Sequence, residues 1–296
     1  MQLRVTVLVV VVLAVALRVH ATARAPAPGD FYVNTQVDQL VDLTGHIITV
    51  HHSINAKPTS VHSASKPYVF DVAPVYGTHV VAVLAAMPDG QQLPVELRKH
   101  AEPVAHRYHI DLTQLAGKKG GTITFSVTVT LAHHFELLPS SISQAEPQLV
   151  VFRGDALFWS PYVTTRQVTS LLLASSAVEE FTTDVEPHKR SRDKIVYGPF
   201  GSQPAFAAAP IRAHFENNSP FMTATHVLKE VTVSSWGSVT VEEHYTLANT
   251  GATLRGGFSR LDYTVRCQAC LCLLLACARR LTDVCAVGRA VLWCCR

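Results

Sequence analysis

The sequence predicts a mainly β protein: an antiparallel β-sandwich-type domain followed by the opening strands of a second β domain. Three observations carry that expectation. Apolar and hydroxyl-bearing residues alternate with period two through most of the chain, and turn formers punctuate the alternating runs at short intervals. No run has the length and 3.6-residue period of a long core helix.

Taken in order, the chain opens with Arg4, an apolar run from Val5 to Leu17, and the small-x-small pattern Ala21-Thr22-Ala23 at which a signal peptidase cuts. The apolar run is shorter than the ~20 residues a bilayer span requires. Residues 1–23 are therefore expected as a cleaved secretory signal, and the mature chain as lumenal from about Arg24. A Pro-rich lead-in, RAPAPGD (24–30), precedes the first strands.

The clearest strand is TITFSVTVTL, where Ile123, Phe125, Val127, Val129 and Leu131 point one way and Ser126 with the threonines the other. That is a half-buried antiparallel strand. HIITVHHSI (46–54), HVVAVLAA (79–86), RYHIDL (107–112), VLKEVTV (227–233) and SVTVEEHYTL (238–247) read the same way. The last two form a hairpin joined at Ser235-Trp236-Gly237. Pro74, Met87-Pro88-Asp89-Gly90, Gly117 to Gly121, Pro139 and Asn249-Thr250-Gly251 break the runs. VTSLLLASSAVEEFTTD (168–184) fits either a short helix or extended structure, and HKRSRDK (188–194) reads as a solvated loop. The expected units are residues 24–225 as a first lumenal β-rich domain and 226–266 as the start of a second, truncated one.

Charge and cysteine usage divide the chain. The formal net charge of +3 owes its sign to the ends. Without Arg4 and Arg18, and without Arg279, Arg280, Arg289, Arg296 and Asp283, the body is slightly acidic. It lacks the basic excess that binding a phosphate backbone demands, so no nucleic-acid partner is expected. All 7 cysteines fall between Cys267 and Cys295. The lumen would permit disulfides, yet the body must rely on apolar burial. CQACLCLLLACARRLTDVCAVGRAVLWCCR (267–296) fits no disulfide or zinc framework, and Arg279-Arg280 ends its apolar run too early for a membrane span. It is expected to be an alternative or mispredicted ending rather than native domain sequence.

No catalytic constellation emerges. G-x-S-x-G, H-E-x-x-H and the phosphate loop are missing from the sequence. Glu242 and Glu243 are neighbours on a strand and so face opposite sides, which does not suit a pair of carboxylates flanking one bond. His51-His52 and His133-His134 split across faces in the same way. No catalytic residue, cofactor site or metal site is expected. Asn217-Asn218-Ser219 is a glycosylation acceptor triplet, making Asn217 a glycosylation candidate if its loop is exposed. Tyr162 and Trp236 are interface candidates as aromatics, with burial in the core as the competing reading.

VVFRGDALFWSPYVTTRQ (150–167), with Gly154, Phe158, Ser160-Pro161-Tyr162, Thr164 and Gln167, resembles the ribophorin I family. So do Tyr197-Gly198-Pro199-Phe200, Pro204-Ala205-Phe206 and HFENNSPF (214–221), where Phe215 stands for the usual Tyr. Trp236-Gly237 with Val241-Glu242-Glu243 matches a further block, as do Thr250-Gly251-Ala252, Leu254, Gly256, Phe258-Ser259-Arg260 and Asp262-Tyr263. The blocks span residues 148–263. Residues 26–147 match in kind, through strand alternation and Val41-Asp42-Leu43-Thr44.

The resemblance implies a non-catalytic subunit of the oligosaccharyltransferase complex of the endoplasmic reticulum. That complex transfers a preassembled oligosaccharide from dolichyl diphosphate to Asn in Asn-x-Ser/Thr of nascent polypeptides. Catalytic carboxylates and a divalent metal would then reside in another subunit, with this one as scaffold and presenter of acceptor chains. Implied partners are the other subunits, including the catalytic one, nascent polypeptides, and the membrane through the complex or a spanning helix missing from this sequence. The competing expectations are a secreted or lumenal β-sandwich binding module unrelated to the transferase, and a secreted hydrolase built from scattered histidines.

Overall fold

The computed structural model describes residues 31–60, 66–98, 106–113 and 121–264. The signal sequence, the turn at 117–120 and the cysteine-rich tail lie outside the described residues. In chain order the strands are β1 (Tyr32–Leu43), β2 (Ile48–Pro58), β3 (Tyr68–Asp71), β4 (Val80–Ala86), β5 (Gln92–Leu93), β6 (Val95–Arg98) and β7 (Arg107–Ile110). They continue as β8 (Ile123–Leu131), β9 (Glu136–Leu137), β10 (Ser141–Ile142), β11 (Leu149–Asp155), β12 (Gln167–Leu173) and β13 (Val178–Phe181). The last are β14 (His188–Ser191), β15 (Lys194–Phe200), β16 (Pro210–Glu216), β17 (Met222–Val233), β18 (Val239–Asn249) and β19 (Thr253–Leu254). A short 3-10 segment, Pro74–His79, leads from β3 into β4. The chain is mainly β, as the alternation implies.

One sheet of 8 strands, ordered β14-β15-β12-β1-β2-β8-β4-β5, forms the first layer. Its pairings are antiparallel except β1 with β12, which run parallel from Val37↔Gln167 to Leu43↔Leu173. Alternation sends Ile48, Val50, Ile54 and Ala56 of β2 inward, beside Phe125, Val127, Val129 and Leu131 of β8. Thr49, Ser53, Thr128 and Thr130 face out. A bulge in β1 between Asn34 and Gln36 shifts the phase, so that Tyr32 and Asn34 point inward on one side of it and Val37, Val41 and Leu43 on the other.

Two smaller sheets cover the inward face: β3-β7-β6, and β13-β16-β11-β9. Tyr68 of β3 meets Phe125 of β8 edge-on at 5.0 Å, and Phe135 meets Phe215 of β16 at 6.1 Å. Val150, Phe152, Ala213 and Phe215 complete the buried layer. The core is thus aromatic and aliphatic with no sulfur link among the described residues, which carry no cysteine.

One segment left open by the sequence takes its extended alternative, and another departs from the expectation. Residues 168–184 contain no helix; they divide into β12 and β13, which lie in different sheets. HKRSRDK is not a loop, because His188–Ser191 pairs antiparallel with β15 through His188↔Tyr197 and Ser191↔Lys194. It is the outermost strand of its sheet, where cations tolerate water on the open side and discourage further pairing.

Candidate interaction surface

Most of the sequence blocks that carry the family resemblance are spent inside the fold. The loop after β11 is tied down by a buried polar network centred on Asn34. Its Nδ2 donates to Ser160 Oγ and to Thr164 Oγ1 at 3.2 Å each, while Tyr68 OH donates to its Oδ1 at 2.9 Å. Gln167 Nε2 and Thr169 Oγ1 both donate to Ala156 O at 2.8 Å. Asp155 Oδ1 accepts from Leu157 N and Ala209 N. At Gly154 an added Cβ would sit 2.6 Å from the Phe152 ring, and at Gly198 (φ +103°) it would sit 2.9 Å from Gln167 O. These residues specify packing.

Tyr162 belongs to that group, which corrects its standing as a contact surface. It is only 4% exposed, its oxygen accepts from Val69 N at 3.1 Å, and its ring lies 5.0 Å from Tyr68. A backbone N–H of β3 needs an acceptor in the interior, and the phenol supplies it. Asp71 had no comparable signal in the sequence. Its buried carboxylate accepts from Arg107 Nε at 2.7 Å and Nη2 at 2.8 Å, joining β3 to β7. An acid and a base at opposed strand positions 36 residues apart carry no local signal.

Asn217 is also inside, at 0% exposure. The residue follows β16, and its Nδ2 donates to Gly45 O at 3.0 Å and Leu43 O at 3.3 Å, pinning the turn after β1. Its Oδ1 accepts from Ser219 N and from Ser219 Oγ. The acceptor triplet therefore forms a closed Asx-type turn, not the exposed loop a glycan needs. A groove of about 670 Å³ runs past it, lined by Thr44, Glu146, Pro147, Asn218 and Pro220 among others.

Beyond Phe221 the burial pattern changes. β17 and β18 form a two-stranded ribbon with neither long face covered by described residues. Register places Val227 opposite Tyr245, Lys229 opposite Glu243, Val231 opposite Val241 and Val233 opposite Val239, so one face is a valine stripe. Lys229 and Glu243 interrupt it with an ion pair at 2.7 Å. The opposite face carries Glu230, Thr232, Thr240 and Glu242. At the tip Gly237 takes φ 85°, Ser234 N donates to Ser238 O, and Trp236 stands 95% exposed. Trp236 thus takes the exposed alternative of its two sequence readings. Glu242 and Glu243 lie on opposite faces, as alternation requires.

The base of the ribbon is held to the body. Thr250 N donates to Phe221 O, and β19 pairs in parallel with β10 through Ser141↔Thr253 and Ile142↔Leu254. Gln148 Oε1 accepts from Ala252 N at 2.9 Å, while Gln144 Oε1 accepts from Ser259 N at 2.7 Å. A rigid base, an apolar stripe and a projecting indole are features of a protein contact. Among the described residues no group of three or more His, Cys, Asp or Glu is placed to hold a metal ion, and no helix is long and apolar enough to cross a membrane.

The family model described as Ribophorin I matches residues 32–270. The match therefore takes in the amino-terminal strands, resembling the family only in kind at the sequence level, and runs slightly into the cysteine-rich segment. Subunit 1 of the dolichyl-diphosphooligosaccharide–protein glycosyltransferase from Caenorhabditis elegans is 32% identical over 236 residues, 79% of this chain and 40% of that protein. Subunit 1B from Arabidopsis thaliana is 30% identical over 234 residues, 76% of this chain and 50% of its own length. The rice (Oryza sativa subsp. japonica) subunit 1B is 30% identical over 247 residues, 81% and 52% of the two chains. The chain spans about half the length, or less, of these relatives. Among solved structures, native yeast LTA4 hydrolase aligns with a TM-score of 0.41 at 11% identity, over 72% of this chain and 34% of that one.

Proposed function

The chain belongs to the ribophorin I family, and from that membership we propose that it serves as a non-catalytic part of an oligosaccharyltransferase complex in the lumen of the endoplasmic reticulum. Its role is to hold other subunits, the catalytic one included, and to help present nascent polypeptides for transfer of oligosaccharide from dolichyl diphosphate. The observation that carries this reading is the family match over residues 32–270. Membership weighs against the alternative of a sandwich module unrelated to the transferase.

Within this reading, residues 226–266 open a second β unit. The valine stripe of the ribbon has the alternation of a sheet face meant for burial, and further strands of that unit cover it. Trp236, at the far end, is the contact offered to a partner subunit. Asn217 stays unmodified, its amide committed to the carbonyls of Leu43 and Gly45.

The test is affinity capture of the tagged full chain from detergent-solubilised microsomes. Recovery of the catalytic subunit is expected, and Trp236→Ser is expected to reduce it severalfold while leaving the melting temperature of the body unchanged. Capture of the chain without any transferase subunit overturns the proposal.

A further inference from the structure

Beneath the centre of the large sheet lie four buried polar atoms whose residues line one small space. They are Gln39 Oε1 on β1, His52 Nδ1 on β2, Tyr76 OH in the 3-10 segment after β3, and Trp159 Nε1 in the loop after β11. Among the described residues Gln39 Oε1, His52 Nδ1 and Trp159 Nε1 have no hydrogen-bonding partner, and the Tyr76 hydroxyl, next to the Asp155 N–H, has no acceptor for its proton. Gln39, His52 and Tyr76 are each no more than 5% exposed. The cavity they line has a volume of about 10 Å³, and Phe70, Phe158 and the acids Asp71 and Asp155 line it too. An unmade hydrogen bond on a buried polar group is costly, so four around one space call for a shared partner.

We propose that this cavity is a binding site for one structural water molecule, which joins four separate elements of the fold. The volume is that of a single water molecule's site. The donor inventory fits water: the Trp159 N–H can only donate and Gln39 Oε1 can only accept. Tyr76 OH donates alongside Trp159, and a neutral His52 with its proton on Nε2 accepts through Nδ1 alongside Gln39. Water accepts two hydrogen bonds and donates two, so a single molecule satisfies the whole set. Burial holds His52 uncharged by pushing its pKa down to about 3, which keeps Nδ1 available as an acceptor. The water thereby fastens the 3-10 segment and the β11 loop onto the inward face of β1 and β2.

A crystal structure of the full chain, at a resolution that shows ordered solvent, provides the first test. One isolated peak within hydrogen-bonding distance of at least three of the four atoms is expected. An unfilled cavity, or side chains turned to bond one another directly, overturns the proposal. Water-oxygen relaxation dispersion provides the second, comparing the wild type with Tyr76→Phe, which keeps the ring and removes one partner. Loss of one hydrogen bond is expected to shorten the residence time of one long-lived water about tenfold. An unchanged dispersion profile in Tyr76→Phe, or no long-lived water in the wild type, also overturns it.

Discussion

His52 shows how the interior sets a charge state. Its pKa is pushed down to about 3, first by burial and then by the neighbouring His51 ring. In the unfolded chain the same group titrates near its ordinary value of 6.5. Between those two values the unfolded state holds the extra proton, so stability rises with pH. The contribution is complete above about 6.5 and is lost towards 3, at roughly 1.4 kcal/mol per pH unit. His134 and His109 are also lowered by burial and act with the same sign; Asp155, raised by burial, opposes them at the acid end. Urea unfolding at a series of pH values is expected to show a shallower acid-side slope for His52→Gln than for the wild type. Among the described residues the Asp71 carboxylate is paired with Arg107. Arg107→Met leaves that charge buried and unpaired, so a loss of about 3–5 kcal/mol is expected in chemical denaturation. Adding Asp71→Leu is expected to recover most of it, because the pair is costly chiefly when half is removed.

Among the elements, the ribbon of β17 and β18 differs most from the rest. Its Val231, Val233, Val239 and Val241 lie in solvent, where an alternating stripe on an open two-stranded sheet invites association. Light scattering on the purified chain is expected to show concentration-dependent self-association, and Val231→Thr with Val241→Thr is expected to reduce it without changing the β content seen by circular dichroism. Strands are readable in the sequence wherever alternation is strong: TITFSVTVTL contains β8, and the residues its alternation marks as inward are the buried ones. Others were hidden for physical reasons. β14 is four residues rich in charge, and its strand geometry comes from β15, not from its own propensity. The bulge in β1 reverses the alternation midway, so the inward place of Asn34 is invisible to a period-two reading. Asn217 and Tyr162 misled for one shared reason. Each is a polar residue whose hydrogen bonds are made to backbone distant in sequence, and only the assembled sheets reveal that the groups are inside.

For the whole molecule, the layers divide what is protected from what is exposed. Hydrogen exchange is expected to be slowest at β1, β2, β8 and β12, at the centre of the large sheet, and fastest along β17 and β18 away from the ribbon base, where few tertiary contacts shield the amides. Mass spectrometry of fragments after timed labelling measures both in one experiment; equal protection in the two regions would contradict this architecture. The parallel union of β1 with β12 has a temporal consequence. Tyr32–Leu43 cannot acquire its second neighbour until Gln167–Leu173 has been synthesised. At ribosomal rates of about 5–20 residues per second, the first hairpin waits roughly 6–25 s with one side unsatisfied. During synthesis, then, the centre of the finished sheet is its most vulnerable margin, and a chaperone that shields that margin would matter more than one that hastens collapse.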